Sequence, residues 1–574
     1  MKVVIVGGVA GGASAAARIR RLDENAQIIV FERSGYVSYA NCGLPYYVGG
    51  IITDAEALTL QTPDSFFNRF HIDIRVRHEV TAINPAKKTV TVHNLDTEEV
   101  FEETYDKLLL SPGAKPTKPN MPGIENERIF TLRTIEDTLK IRTYAEKVRP
   151  KSAVIAGGGY IGLEMAENFV KLGLSVTVIQ KPDHLLSPLD YDMACFIHSY
   201  LVKKGIRLIF GKSVTGFREA EQAVITLTDG SEQLSSDLVL LAVGVTPDTA
   251  LAKAAGLELG IKDSIIVNDR METSVKDIYA VGDAVGVKHL VTGKDTLLSL
   301  AGPANRQGRI AADNICGGNS IYRGSHGSSI IKLFDMTAAI TGINEETAKA
   351  AGISYDKILL SPASHASYYP GGKTMTIKIL YEKTTLKLLG AQIVGYEGVD
   401  KRIDVLATAI HAGMSATGLC ELDLAYAPPF SSAKDPVNMA GFMIENIVTG
   451  KVKQFHIEDI DSLPHDDSIT LLDVRTPFEY ANGHAEGFVN IPLDTLRERM
   501  PTLKKNQPVY VMCQSGLRSY LACRILSQYG YDCYNFSGGY RFYDMVKHNT
   551  APAKTTYPCG MNADMLLKTA EHPE

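Results

Sequence analysis

The sequence predicts a fold of the α/β class built from several domains, and three features of the chain support this. At 574 residues the chain is too long for one hydrophobic core, so about three to four domains are expected. Two segments, residues 3–21 and 152–162, each begin with an apolar strand that leads through a glycine-rich loop into a helix. A third strand-to-helix loop, at residues 509–519, contains a cysteine.

Composition and charge exclude several classes of protein. Hydrophobic residues make up 45% of the chain and charged residues 22%, which is ordinary for a globular protein. The formal net charge is -6 without a long basic run, so nucleic acid is not an expected partner. No apolar run approaches the roughly 18 residues that span a bilayer. The chain opens on a strand and not on a signal peptide, so we expect no membrane association and a cytoplasmic location.

Eight scattered cysteines without a CxxC motif are expected to be free thiols, and no metal site is expected.

The first glycine-rich loop predicts a dinucleotide site within residues 1 to about 115. The loop Gly7-Gly8-Val9-Ala10-Gly11-Gly12 would let helix amides approach a pyrophosphate, although Val9 replaces the middle glycine of G-x-G-x-x-G. The next strand ends at Glu32, where a carboxylate can bind an adenosine ribose. Ser14, Arg18 and Arg21 follow on one face of the helix. Such a face is commonly solvated, but its proximity in sequence to Cys42 leaves anion binding as an alternative.

A second dinucleotide site is predicted in residues 116–262. Residues 157–162 are Gly-Gly-Gly-Tyr-Ile-Gly, a full G-x-G-x-x-G between a strand and a helix. The following strand ends at Gln180 and Lys181, which leaves the choice between NADH and NADPH open. Later, a strand ends at Gly282-Asp283-Ala284, where Asp283 and helix amides can bind a ribityl chain and a pyrophosphate.

Together these motifs resemble the two-dinucleotide flavoprotein disulfide reductases over residues 1 to about 450. The resemblance implies two Rossmann-like domains: an FAD domain at 1–115 and 263–324, and an NAD(P)H domain at 116–262, with NADH favoured. It also implies an α+β dimerisation domain at 325–450 and a homodimer. The implied FAD contacts are Gly7, Gly11, Gly12, Glu32, Arg33, Ala114, Asp283 and Ala284. The implied NAD(P)H contacts are Gly157, Gly159 and Gly162.

Cys42, in Tyr39-Ala40-Asn41-Cys42-Gly43-Leu44-Pro45, is the candidate redox centre. Most of these reductases use two cysteines spaced CxxxxC, and here Tyr47 stands at the second position. Lone-cysteine members divide into peroxide or oxygen reducers and coenzyme A disulfide reductases. The former carry a histidine in the first glycine loop where this chain has Ala10. Residues 38–46 are similar to the coenzyme A disulfide reductases.

That resemblance implies a coenzyme A site and a second pair of catalytic side chains. The implied coenzyme A contacts are Ser14, Arg18, Arg21, Ser38, Asn41, Asn305 and Lys434. The basic contact that the resemblance implies near residue 70 is missing from this chain, because Phe70 stands there, flanked by Arg69 and His71. Tyr368 and Tyr426 are implied to reach across the dimer towards the cysteine. A phenol there can donate a hydrogen bond to a leaving thiolate.

The C-terminal part, residues 457–550, is similar to α/β rhodanese domains. A strand delivers Cys513 into a loop that becomes a helix, so backbone amides and the helix dipole would favour a thiolate or persulfide anion. Arg518 completes a C-x4-R spacing and is predicted to be catalytic with Cys513, although an ordinary cation at a helix start is the alternative. Cys523 and Cys533 are expected in the core. Residues 551–574, with Cys559, are expected to form a tail.

These features predict an FAD-dependent, NAD(P)H-driven reductase of coenzyme A disulfide, coenzyme A persulfide or polysulfide. Cys42 would attack the sulfur substrate, and Cys513 would carry sulfane sulfur. Two alternatives stay open. One is an NADH peroxidase or oxidase that uses a Cys42 sulfenate. The other is a non-catalytic sulfur carrier or redox-sensing scaffold.

Overall fold

The chain forms two compact units. A computed structural model describes residues 1–221, 223–230 and 232–548. The first unit comprises Met1–Leu186 and Gly205–Gly327, and the second comprises Ser187–Lys204 and the chain from Ser328 onwards. The tail predicted at 551–574, with Cys559, lies outside the described residues. No helix in the described part of the chain has both the length and the apolar character needed to cross a membrane.

Strands alternate with helices in some segments and follow one another directly in others, as in β3 to β9 (residues 73–130) and β12 to β17 (residues 207–247). The strands are β1 (Lys2–Val6), β2 (Gln27–Glu32), β3 (Asp73–Val76), β4 (His78–Asn84), β5 (Thr89–Asn94), β6 (Val100–Thr104), β7 (Lys107–Leu110), β8 (Ala114–Pro116), β9 (Ile129–Phe130), β10 (Ser152–Ala156), β11 (Ser175–Gln180), β12 (Arg207–Phe210), β13 (Val214–Glu219), β14 (Val224–Thr228), β15 (Gln233–Ser236), β16 (Leu238–Leu241), β17 (Val245–Pro247), β18 (Ile278–Ala280), β19 (Val287–Lys288), β20 (Asp295–Thr296), β21 (Ser329–Leu333), β22 (Met336–Gly342), β23 (Tyr355–Leu360), β24 (Thr376–Glu382), β25 (Leu388–Gly395), β26 (Lys453–Phe455), β27 (Thr470–Asp473), β28 (Val489–Asn490), β29 (Val509–Met512) and β30 (Cys533–Phe536). The α-helices are α1 (Ala10–Leu22), α2 (Leu44–Val48), α3 (Pro63–Phe70), α4 (Ile135–Val148), α5 (Tyr160–Lys171), α6 (Tyr191–Lys203), α7 (Ala250–Ala254), α8 (Ala301–Ile315), α9 (Glu345–Ala351), α10 (Val399–His411), α11 (Pro436–Val448), α12 (Ile457–Ile460), α13 (Pro477–Ala481), α14 (Leu496–Arg499), α15 (Leu517–Gln528) and α16 (Gly539–His548).

The first unit contains two parallel sheets of the same plan. One has the order β18-β7-β1-β2-β3 and the other β12-β11-β10-β16-β9. In each sheet an inner strand, β1 or β10, is followed by a glycine loop, a helix and the neighbouring parallel strand. The inner strands are apolar because both of their faces are buried. The predicted α/β class with two Rossmann-like domains is confirmed.

The second unit contains one antiparallel and one parallel sheet. The antiparallel sheet has the order β21-β22-β25-β24-β23. The parallel sheet, β26-β30-β29-β27-β28, is formed by the C-terminal part of the chain. Helix α6 belongs to this unit, although its sequence lies between strands of the first unit. The predicted domain boundaries stay predictions.

A buried cluster of charges holds α6 and α9 to the antiparallel sheet. Lys378 in β24 has no exposed surface, and its Nζ lies 2.9 Å from Asp190 and 2.7 Å from Asp192. It also contacts Glu345 of α9. Burial opposes its charge, but these three carboxylates together raise the pKa of Lys378 above its ordinary value. The lysine is therefore a charged, fully paired cation inside the unit.

The same cluster extends to the C-terminal sheet. Lys357 in β23 lies 2.8 Å from Glu345 and 2.6 Å from Glu458 of α12. Nearby, the amide of Leu359 donates to the hydroxyl of Ser537 at 3.2 Å, and the side chain of Gln454 donates to the carbonyl of Lys357 at 2.8 Å. The edge of the antiparallel sheet is thus joined to the C-terminal domain by an ion pair and two hydrogen bonds.

We expect Lys378→Met to destabilise the second unit strongly, because Asp190 and Asp192 would stay buried without their cation and Glu345 would keep only Lys357. Removing one partner of a buried ion pair costs about 3–5 kcal/mol. The measurement is the urea midpoint together with the half-life of thermal inactivation. Lys453→Met is the matched control, since Lys453 and Asp532 form a pair that is 57% and 51% exposed and worth about 1 kcal/mol or less. Equal losses of stability in the two variants would show that the buried cluster contributes no more than an exposed ion pair.

Candidate active site

The first glycine loop is built around a close contact between β1 and α1. A Cβ atom at Gly12 would lie 1.9 Å from the carbonyl oxygen of Gly7, so only glycine lets the helix begin this close to the strand end. Glu32 is 8% exposed. One of its carboxylate oxygens accepts from the amide of Gly8 at 2.8 Å, and the other accepts from Ser34 at 2.9 Å. The predicted ribose ligand therefore also holds the loop.

The second glycine loop repeats this arrangement with a neutral side chain. Gln180 accepts a hydrogen bond from the amide of Gly158 at 2.7 Å and donates to the carbonyl of His184 at 3.2 Å. At Gly159, by contrast, a Cβ atom would meet no other atom within 4 Å. Open space at that position is what a bound pyrophosphate needs.

Asp283 pairs with an arginine that sequence reasoning missed. A short turn, Gly282–Ala284, follows β18, and Asp283 accepts from Arg133 at 2.6 Å. Arg133 lies more than 100 residues away in sequence, just before α4, so no local motif pointed to it. Arg33, another predicted FAD contact, donates a hydrogen bond to Asp248 at 2.8 Å. Ala114 begins β8 and is buried.

Cys42 lies on the turn Asn41–Gly43, immediately before α2, and is exposed. Partial burial of the thiol and the charge of Glu164 raise its pKa, while Arg133 lowers it, and the net direction is upward. Tyr46 Oη lies 3.4 Å from Glu164 Oε1. Burial raises the pKa of Glu164 to about 7, against the effect of the Tyr46 hydrogen bond. A titrating carboxyl group thus acts on the candidate nucleophile.

A cavity of about 420 Å³ gathers most of the predicted coenzyme A contacts. Its lining residues are Ala13, Ser14, Ala17, Arg18, Arg21, Ser38, Gln61, Phe66, Arg69, Phe70, Asn305 and Arg309. Ser14 donates to Asn305, and Arg18 pairs with Asp313 at 2.7 Å. Four arginines line one space, so it suits a polyanionic ligand.

Two of these arginines were not predicted, and two predicted contacts lie elsewhere. Arg69 lines the cavity next to Phe70, which stands where the resemblance implies a basic contact, and Arg309 comes from α8. Asn41 is not among the lining residues, and its Oδ1 is buried without a hydrogen-bond partner. Lys434 belongs to the second unit, in the loop that precedes α11.

The predicted tyrosines meet at the surface of the second unit. Tyr368 and Tyr426 are 72% and 45% exposed, and their hydroxyl oxygens lie 2.5 Å apart. The hydrogen bond from Tyr368 raises the pKa of Tyr426. Two phenols from loops 58 residues apart therefore form one hydrogen-bonded pair.

Cys513 lies in the loop between β29 and α15 and is fully buried. Its sulfur accepts hydrogen bonds from the amide of Gly516 at 3.1 Å and from the hydroxyl of Ser519 at 3.2 Å. Such donors stabilise a sulfur anion. Arg518 donates two hydrogen bonds to Glu479 of α13, at 2.7 and 2.6 Å, which fixes the loop to its neighbour.

Cys523 and Cys533 belong to the same hydrophobic core cluster as Cys513, which confirms the expectation that they are core residues.

Residues 1–308, more than half of the chain, match the family described as pyridine nucleotide-disulphide oxidoreductase. The chain belongs to this family. Residues 328–436 match the dimerisation domain of the pyridine nucleotide-disulphide oxidoreductases, and residues 456–544 match the rhodanese-like domain. The chain is thus a flavin-dependent oxidoreductase that carries a rhodanese domain.

Three relatives illustrate the similarity. The coenzyme A disulfide reductase of Staphylococcus epidermidis strain RP62A is 37% identical over 442 residues, which is 77% of this chain and 99% of that protein. The crystal structure of reduced Bacillus anthracis CoADR-RHD is 45% identical with a TM-score of 0.93, and the match covers 95% of this chain and 98% of that one. The structure of an NAD-dependent persulfide reductase from A. fulgidus is 37% identical with a TM-score of 0.89, and the match covers 95% and 100%.

The pyridine nucleotide-disulphide oxidoreductases use FAD and NAD(P)H, and the two loops of this chain fit these groups. Both loops start a helix against a parallel strand, and in the first loop a Cβ atom at Gly12 would clash with the carbonyl oxygen of Gly7 and push the helix away from the strand end. The Asp283 turn follows β18 of the same sheet as the first loop. In this family member the Gly7 loop and Asp283 would hold FAD, and the Gly157 loop would hold the pyridine nucleotide.

We expect Glu164→Gln to lower the pH at which Cys42 becomes a thiolate. Glu164 is ionised above about pH 7, so its negative charge is present at the higher pH where Cys42 titrates, and removing it favours the thiolate. The measurement is the rate of Cys42 alkylation by iodoacetamide across pH 6–10 in the reduced holoenzyme, with a shift of about half a unit or more. Glu146→Gln, an exposed change on α4, is the control. An unchanged midpoint in Glu164→Gln would contradict the electrostatic coupling.

Proposed function

We propose that this chain is an NAD(P)H-dependent reductase of coenzyme A disulfide, coenzyme A persulfide or polysulfide. Cys42 is its single nucleophile, and its rhodanese domain carries sulfane sulfur at Cys513. The observation that carries the proposal is the arginine-lined cavity, because Ser38, on the segment that leads to Cys42, contributes to its wall. NADH is favoured as the electron donor, and the active form is a homodimer.

The cavity suits coenzyme A in charge and in shape. The guanidinium groups of Arg21, Arg69 and Arg309 can each bind a phosphate with two parallel hydrogen bonds. Phe70, which is partly exposed and lies with its ring centroid 6.0 Å from that of the buried Phe66, offers an aromatic face for an adenine ring. The relatives named coenzyme A disulfide reductase are similar over 442 residues, which is 77% of this chain.

In the proposed reaction Cys42 acts as the nucleophile towards a sulfur–sulfur bond. FAD and NAD(P)H, when bound, would supply the two electrons that cleave the mixed disulfide of Cys42, which releases the second thiolate of the substrate and returns Cys42 to its thiolate. The Cys42 thiolate attacks one sulfur of the substrate, a mixed disulfide with Cys42 forms, and a thiolate or hydrosulfide leaves. In the homodimer the Tyr368–Tyr426 pair of one protomer donates a hydrogen bond to the group that leaves at its partner's Cys42. Lys434 adds a cation for the coenzyme A phosphates.

The rhodanese domain favours persulfide and polysulfide over plain coenzyme A disulfide as the physiological substrates. The donors to the sulfur of Cys513 stabilise an anionic sulfur at this loop, and a disulfide reductase alone needs no sulfane-sulfur carrier. The A. fulgidus persulfide reductase is similar over 95% of the chain, which includes this domain.

We expect anaerobic stopped-flow of the reduced enzyme to show rapid reoxidation by coenzyme A disulfide, coenzyme A persulfide and polysulfide, and not by peroxide. Cys42→Ser should abolish all three reactions, because Cys42 is the only exposed cysteine among the described residues. Cys513→Ser is the matched control, since it should leave reoxidation by coenzyme A disulfide unchanged. Reoxidation by peroxide alone would overturn the proposal in favour of a sulfenate peroxidase.

We expect Arg21→Gln and Arg309→Gln each to raise KM for coenzyme A disulfide by about tenfold to a hundredfold, the value of one charged hydrogen bond. KM for inorganic polysulfide should stay unchanged, because polysulfide contains no phosphate group that these arginines could bind. Steady-state NADH oxidation with the two substrates is the measurement. Arg207→Gln, at a site 58% exposed and outside the cavity, is the control. An equal rise in both KM values would show that these arginines do not bind coenzyme A.

A further inference from the structure

Arg402 in α10 is one of the largest fully buried side chains, at 1% exposed, and it touches both loops that carry the tyrosines. Its Nη2 donates to the carbonyl of Ser364 at 3.0 Å and contacts the carbonyl of Phe430 at 3.4 Å. Ser364 precedes Tyr368 by four residues, and Phe430 follows Tyr426 by four. One guanidinium group therefore bridges the two segments.

The charge of Arg402 is balanced inside the same cluster. Asp435 lies 3.0 Å from Nη2 and also accepts from the hydroxyl of Ser431 at 2.6 Å, and Ser431 is itself 3.1 Å from Nη2. Burial opposes the charge of Asp435, but these hydrogen bonds and the Arg402 charge lower its pKa, so it is a carboxylate. The amide of Ala366 donates to the carbonyl of Ser431 at 2.9 Å, which joins the two loops directly.

This arrangement explains how two exposed phenols can stay in contact. An exposed tyrosine on a loop ordinarily has several rotamers, and ordering it costs entropy. In the pair, one hydroxyl hydrogen is used between the oxygens and the other is left for an outside acceptor. The free hydrogen points one way only if the two loops keep their relative position. The buried arginine supplies that constraint.

We propose that Arg402 is a positioning residue that makes Tyr368 and Tyr426 act as one hydrogen-bond donor towards the leaving thiolate. This inference rests on the proposed function of the tyrosine pair. No net proton transfer is required, since the phenol only donates a hydrogen bond as the sulfur–sulfur bond breaks. The pair then stabilises charge that develops on the leaving sulfur, which raises kcat more than it lowers KM.

A double-mutant cycle tests the proposal. The proteins are the wild type, Arg402→Lys, Tyr368→Phe with Tyr426→Phe, and the combination of all three changes, each as the full chain with bound flavin. Lysine keeps the charge but loses the planar fork that spans both loops. We expect Arg402→Lys to lower kcat for coenzyme A disulfide by about tenfold with KM unchanged. In the double-phenylalanine background the same change should have no further effect on kcat.

Two outcomes would overturn the inference. A loss of kcat that is equally large in the double-phenylalanine background would show a general structural role. A double-phenylalanine variant with the kcat of the wild type would show that the pair is not a donor. A wild type without activity towards coenzyme A disulfide, coenzyme A persulfide and polysulfide would instead overturn the proposed function.

Two further variants keep the test open if Arg402→Lys does not fold. Ser431→Ala removes one polar partner of Arg402 and leaves its ion pair with Asp435 intact. Gly398→Ala disturbs the guanidinium by contact, since a Cβ atom there would lie 2.2 Å from Arg402 Nη1. Both should lower kcat in the same background-dependent way. Arg497→Lys, at an exposed position of the same unit, should change neither kcat nor KM.

Discussion

The contact between the first turn of α1 and the loop that leaves β1 is the constraint on which both candidate sites of the first unit depend. Because Gly12 has no side chain, α1 begins directly against Gly7, with its backbone amides facing the strand end. The same helix turns Arg18 and Arg21 towards the cavity. One helix therefore contributes its N-terminus to the predicted flavin site and its side to the predicted coenzyme A site.

The second unit relies on buried cations in a comparable way. Lys378 forms ion pairs with carboxylates at α6 and on α9 next to the antiparallel sheet. Arg402 donates hydrogen bonds to carbonyl groups of two surface loops. A buried cation tolerates few arrangements of its partners, because each unpaired position costs free energy. Each cluster thus fixes the position of the segments that it contacts more narrowly than hydrophobic packing alone would do. In the case of Arg402, the placed segments carry exposed aromatic side chains.

Local motifs in the sequence were sufficient for the architecture and for part of the site. The glycine loops could be recognised because the steric requirement at a residue such as Gly12 is local. The face with Arg18 and Arg21 followed from helical periodicity. Arg133, Arg309 and Arg402 could not be found in this way, because their partners are brought near by tertiary folding alone. Likewise, no local signal showed that α6 folds with the second unit.

Exchange of the C-terminal domain between proteins would affect the ion pair and hydrogen bonds that join it to β23. A chimera made by cutting at the linker near residue 450 would inherit Lys357 without Glu458, and Leu359 without the hydroxyl of Ser537. An incoming domain with an acid and a hydrogen-bond acceptor at matching places would restore these contacts, and one without them would leave the edge strand with fewer partners.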